Sequence, residues 1–144
     1  MPHTPGKTGW QATAVAIGTR AVLIEGPPGS GKSSLALALV DRGGALIGDD
    51  GVTLESLGGR LIVRPHPNTR GLIEVRNIGI LTMPMRDEAP AALVIVLDRE
   101  APRLPGQPEQ ALRAGLPLPL VRLWPDSPVL ALRAELALER FGLA

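Results

Sequence analysis

The 144-residue chain contains no cysteine and no tyrosine, and its aromatic set is two tryptophans and one phenylalanine. The lack of cysteine excludes disulfide frameworks, thiolate metal sites and cysteine nucleophiles, and it fits a reducing compartment, so a cytoplasmic location is expected. With so few rings, recognition of a nucleotide base falls to apolar contacts and backbone groups. Neither sign of charge dominates: 15 Lys+Arg stand against 14 Asp+Glu, a formal net charge of +1 with no dense basic run. Such a balance gives no field to hold nucleic acid. No apolar run reaches the roughly 18–20 residues of a membrane-spanning helix. Residues 1–7 also lack the apolar stretch of a secretion signal. Neither membrane nor export is therefore expected.

Apolar residues make up 44% of the chain. At this length folding buries roughly 68–70% of the unfolded surface, enough for one core and too little material for a second. Seventeen glycines and fifteen prolines predict short elements and frequent turns. The organisation read from this is a flexible arm over residues 1–9 and a single domain over 10–144. The runs at residues 11–17 and 21–25 predict two strands about a turn at Gly18-Thr19, and residues 34–42, rich in Leu and Ala, predict a helix closed by Gly43-Gly44. A short strand at 45–48 and a hairpin of 52–57 with 61–64 about Gly58-Gly59 follow. Residues 72–81 have strand character around Glu74, Arg76 and Asn77. Residues 92–97 predict a buried central strand ending at Asp98. In the proline-rich stretch 99–117 the pattern allows one short helix near 109–114, and 118–123 predict a last strand. The closing helix is expected to start with Ser127 as N-cap and Pro128 in its first turn, and to end at Gly142, with Val129, Leu132, Leu136 and Phe141 facing inward.

Between the second strand and the first helix lies Gly26-Pro27-Pro28-Gly29-Ser30-Gly31-Lys32-Ser33, followed by Ser34. This is the G-x-x-x-x-G-K-[ST] pattern in the strand-then-helix setting that it requires. Glycines 26, 29 and 31 let successive N–H groups turn inward around a polyphosphate. The helix start adds unpaired donors and the positive end of its dipole. In this pattern Lys32 reaches the β- and γ-phosphates and the Ser33 hydroxyl ligates Mg²⁺. ATP and Mg²⁺ are thus the expected ligands. Two acidic positions compete as the partner of this loop. Asp98 ends the most continuous apolar strand, and Asp49-Asp50 ends the shorter run before it. In a continuing strand only one of two adjacent acids faces a given site, whereas a turn can direct both. On the residues alone both positions also read as ordinary turn starts.

Residues 26–37, Asp41-Arg42-Gly43, Leu46-Ile47-Gly48-Asp49-Asp50 and Gly71-Leu72-Ile73-Glu74-Val75-Arg76-Asn77-Ile78-Gly79-Ile80 together resemble the catalytic domain of bacterial HPr kinase/phosphorylase, over roughly residues 10–98. The likeness is to the short forms made of that domain alone. It implies an α/β fold of the HPr kinase/phosphoenolpyruvate carboxykinase type, a mixed β-sheet with flanking helices. It also implies transfer of phosphate from ATP to a serine of the histidine-containing phosphocarrier protein HPr, the reverse phosphorolysis in many members, and a hexameric assembly. Carried onto this chain, the resemblance makes Asp50 the general base with Asp49 beside it, Glu74 a metal-binding carboxylate with Ser33, and Arg76 the arginine of the signature.

Three positions depart from the family pattern. Gln11 stands where the family has histidine, Pro28 where its loops carry serine, and Asn77 where it has glycine. The segment that the family uses for dephosphorylation has no counterpart in residues 118–125. These departures leave a catalytically impaired nucleotide-binding module as the alternative, with a small-molecule kinase of the same loop class as a third reading. Of the remaining residues, His66, Arg70 and Arg103 are expected to be solvated, and Trp10 and Trp124 to cover core edges.

Overall fold

A computed structural model describes residues 7–144, and residues 1–6, most of the expected arm, lie outside the described part. The spine is strand β9 (Ala89–Leu97), whose alternate side chains are buried on both faces. Beside it run β3 (Arg20–Glu25) and, along its second half, β11 (Leu116–Leu123), both parallel to it. At its start it also meets β6 (Arg60–Pro65), antiparallel, through Ile62–Pro90 and Val63–Ala89. One strand shared by neighbours in both directions makes the sheet mixed and curls it. Hairpins extend it: β2 (Thr13–Ile17) pairs with β3, β4 (Ala45–Gly48) with β2, β5 (Val52–Leu57) with β6, and β10 (Glu109–Arg113) with β11. Strands β7 (Leu72–Val75) and β8 (Gly79–Thr82) form a separate two-stranded sheet. The two α-helices, α1 (Lys32–Asp41) and α2 (Leu130–Phe141), cover one face. The fold is the mixed α/β architecture that the sequence implies.

Strand pleat divides the core in two. Val22, Ile24, Leu93, Ile95 and Leu97 point to the helices, where Leu35, Leu39, Ala134 and Leu138 meet them. Leu23 and Val94 point the other way, onto Leu54, Leu61, Val63 and Leu118. Each such fully buried side chain contributes roughly 1.5–3 kcal/mol. No helix among the described residues is long and apolar enough to cross a membrane.

Four local expectations are corrected. Lys7, Thr8 and Gly9 belong to a strand, β1 (Lys7–Trp10), and not to an arm. They pair with the outer edge of β5, which would otherwise present a row of unpaired backbone groups. Residues 72–81 are not one strand but a hairpin turned at Arg76-Asn77-Ile78, where Asn77 takes φ 70°. Asparagine is one of the few side chains at ease there. Residues 109–113 are strand and not helix, because the edge of β11 offers partners for five residues. Finally, α2 begins at Leu130. Ser127 accepts a hydrogen bond from Val129 N–H just before it, and Val129, Leu132 and Leu136 lie exposed on its outer side. The inward stripe is Ala134, Ala137 and Leu138, with Phe141 half-buried against the same core. Alanines let this helix approach the sheet closely, and that selects the face.

Candidate functional site

Strand β3 delivers the chain into the loop of residues 26–31, where Gly29 and Gly31 take φ 78° and 103°, values that a side chain would strain. Gly31 is the N-cap of the ten-residue α1, whose first turn has neither a side-chain cap nor an acidic residue. The donors there are therefore left to a ligand, beside the positive end of the dipole. Lys32 folds back over the loop, its ammonium donating to Gly26 O at 2.8 Å and Pro27 O at 3.4 Å. Ser30 closes the loop by donating its N–H to Pro27 O at 3.1 Å, and its hydroxyl is buried without a partner.

The acidic pair stands opposite. β4 ends at Gly48 and the chain bends through Asp49 and Asp50 before β5. Asp49 Oδ1 accepts hydrogen bonds from Ser33 Oγ at 2.6 Å and from Thr13 Oγ1 at 3.2 Å. Asp50 has φ 61°, and its N–H donates to the same Thr13 hydroxyl at 3.2 Å. Because the strand stops here, both acids border one cavity of about 650 Å³ with residues 28–34 of the loop and helix start. Glu74 and Arg76, brought by the β7–β8 hairpin, line it too, as does Gln11. Gly26 and Pro27 lie outside its lining and act through their carbonyls on Lys32. Among the described residues no three acids or histidines converge as a ready-made metal cage. The oxygen donors Ser33, Asp49, Asp50 and Glu74 around one cavity suit a hard cation that shares its shell with phosphate oxygens, which fits Mg²⁺.

Asp98 belongs elsewhere. Its carboxylate accepts from Glu100 N–H at 2.8 Å and from Arg122 at 3.3 Å, and it borders a second cavity that shares Pro28, Gly29 and Ser30 with the first but neither acid of the pair nor Glu74. Arg122 also forks onto Glu109 at 2.7 and 3.1 Å and holds that carboxyl below its ordinary value. His66 is exposed, its Nδ1 accepting from Asn68 N–H. Arg70 pairs with Asp87, and Arg103 lines a third cavity of about 460 Å³ with Trp124, whose indole donates to Ala101 O. Trp10 lies under Arg113, 4.7 Å from ring to guanidinium. Residues 118–125 are mostly β11. Thr13 went unremarked in the sequence, since a threonine in an apolar strand carries no signal of its own.

Comparison with known proteins adds four findings. The profile of the HPr Serine kinase C-terminal domain matches residues 6–86. The HPr kinase/phosphorylase of Clostridium tetani is 43% identical over 63 residues, 44% of this chain and 21% of that protein. That of Mycoplasma mycoides is 39% identical over 83 residues, 53% of this chain and 26% of that protein. The chain thus spans about a fifth to a quarter of the length of the curated relatives it matches. A solved structure of the Hpr(Ser) kinase/phosphatase from Coxiella burnetii superposes with a TM-score of 0.82 at 28% identity, over 92% of this chain and 88% of that one.

Proposed function

From the premise that this chain belongs to the HPr serine kinase C-terminal domain family, we propose that it transfers the γ-phosphoryl group of Mg·ATP to a serine of an HPr-type phosphocarrier protein in the cytoplasm. The observation that carries the reading is the single cavity bordered by the phosphate loop, both acids, Glu74 and Arg76. The loop amides and α1 donors bind the triphosphate, and Lys32 exchanges its two loop carbonyls for phosphate oxygens. Ser33, with Asp49 bonded to it, and Glu74 would hold Mg²⁺, and the ion would supply neutralisation of charge on the transferring group. A serine hydroxyl is a weak nucleophile near neutral pH, so a carboxylate must take its proton as attack proceeds. Asp50 has that role, since no described group occupies its carboxylate and it borders the cavity. Arg76 steadies developing negative charge.

In the reverse direction a protonated Asp50 returns its proton to the departing serine as phosphate attacks the phosphoserine and pyrophosphate forms. Gln11, which lines the cavity at the position the family gives to histidine, carries no proton, so forward transfer is the stronger direction. Assembly of several copies, the hexamer of the resemblance, belongs to the same proposal.

The test is incubation of the protein with γ-labelled ATP, Mg²⁺ and the phosphocarrier protein of the same genome. Label on a carrier serine, lost in Asp50→Asn while ATP affinity is kept, is expected. ATP binding with no transfer to any carrier would overturn the kinase reading in favour of a nucleotide-responsive regulatory module.

A further inference from the structure

Thr13 is fully buried, and it is the one polar side chain so buried among the described residues. It sits at the first position of β2, opposite Ile24 of β3, with the apolar residues Ala12 and Ala14 on either side in the chain. Its hydroxyl is used twice, donating to Asp49 Oδ1 and accepting from Asp50 N–H, both at 3.2 Å. One side chain therefore ties the carboxylate of the first acid to the backbone of the second. That backbone has φ 61°, the left-handed region, which an aspartate can enter but does not need to keep, so a hydrogen bond to its N–H helps to select it. Where β2 pairs with β4, the ladder ends at Ala14 with Gly48, one residue before the acids, so the Thr13 hydroxyl is the next tie between the two segments.

We propose that Thr13 is a positioning residue for phosphoryl transfer, resting on the reading of Asp50 as base. Its hydroxyl keeps Asp50 in the left-handed conformation that brings the carboxylate to the cavity. Through Asp49 it also keeps the second acceptor fixed against Ser33. Valine has the shape of threonine without the donor or the acceptor. Thr13→Val therefore leaves packing in place, removes the protein acceptor of the Asp50 N–H and frees the bend.

The experiment compares Thr13→Val, Thr13→Ser and Asp50→Asn in the full chain. A misplaced reacting group costs on the order of tenfold to a hundredfold in rate, so kcat for transfer should fall by about that factor in Thr13→Val while KM for ATP stays within about threefold. Thr13→Ser, which keeps the hydroxyl, should recover most of the rate. Independently of activity, the Asp50 amide should exchange its hydrogen slowly in the parent protein and at least about tenfold faster in Thr13→Val. Equal amide exchange and equal kcat in Thr13→Val, with Asp50→Asn inactive, would overturn the role of Thr13 and leave the base assignment standing. Full activity in Asp50→Asn would overturn the base assignment itself, whatever Thr13 does. Should Thr13→Val fail to fold, Thr13→Cys, a small side chain with only a weak donor, replaces it in the same comparison.

Discussion

Glu25, the last residue before the phosphate loop, is clasped by Arg113 from 88 positions further along the chain, through bonds of 2.7 and 3.0 Å. The Trp10 indole donates to the same carboxylate at 2.9 Å and lies under the guanidinium. Three distant segments, β1, β3 and β10, are joined at the point where the chain turns into the loop. The ion pair is 14–16% exposed, so removing one partner strands a largely desolvated charge. Arg113→Ala should cost roughly 3 kcal/mol, about 8–12 °C in the thermal midpoint at this chain length. Replacing both partners by apolar residues of similar volume should recover most of it. Thermal melts of the single and double variants check this, and an unchanged midpoint in Arg113→Ala would show the clasp to be energetically idle.

A second prediction concerns Ser33 and Asp49. Their 2.6 Å bond orients the hydroxyl that is proposed to ligate Mg²⁺. Ser33→Ala should weaken ATP affinity about tenfold or more when Mg²⁺ is present and leave it nearly unchanged in chelator, since even the outer contacts of a metal site are commonly worth 10–100-fold and a ligand is worth no less. Titration calorimetry with and without Mg²⁺ distinguishes the cases. Equal weakening in both would assign Ser33 to phosphate rather than to metal.

The third prediction is a pH dependence of stability. Arg122 holds the Glu109 carboxyl below its ordinary value, chiefly through their hydrogen bonds. A depressed value in the folded state means that the link stabilises above the unfolded value of 4.5 and is lost as pH falls through the lower folded one. The difference in midpoint between the parent protein and Glu109→Gln should therefore be constant near neutral pH and shrink below about pH 4.5. A difference that grows on acidification would contradict the ion pair. Because Glu109 is exposed, added salt should also diminish it.

The loop, α1, β2 to β6 and β9 were legible because local chemistry dictates them: glycines at fixed spacing, a pair of glycines between two apolar runs, a continuous apolar strand. The bend at Asp49 and Asp50 was legible only as one of two options, since the sequence does not show where β4 stops. What escaped was decided by distant partners. Residues 109–113 carry helix-forming side chains, yet pairing with β11 outweighs that weak preference. Pro117 and Pro119 are tolerated in β11 because both precede the stretch that pairs with β9. In α2 leucine and alanine leave more than one apolar face, and the sheet takes the smaller residues. Thr13 was invisible for the same reason, as its two partners lie 36 and 37 positions away.

The last prediction turns on Gln11. It is exposed and borders the same cavity as Asp50 and Arg76, so a side chain at this position reaches the space proposed for phosphoryl transfer. Glutamine can offer hydrogen bonds there but no proton. Histidine has an ordinary pKa of about 6.5 and can do both. Gln11→His should therefore raise the phosphorolysis rate relative to forward transfer. Departure of the serine alkoxide needs a proton, which Asp50 returns, and an imidazolium beside it adds a second source, so the gain should increase as pH falls through about 6.5 and fade above it. Forward transfer, which draws on Asp50, should change little. Rates in both directions, measured on phosphoserine-loaded and unmodified carrier across pH 5.5–8, decide the matter. A gain independent of pH would mean that the histidine acts by contact with phosphate rather than by proton delivery. No gain at any pH would place the limit on the reverse reaction in residues 118–125, where the dephosphorylation segment of the family has no counterpart.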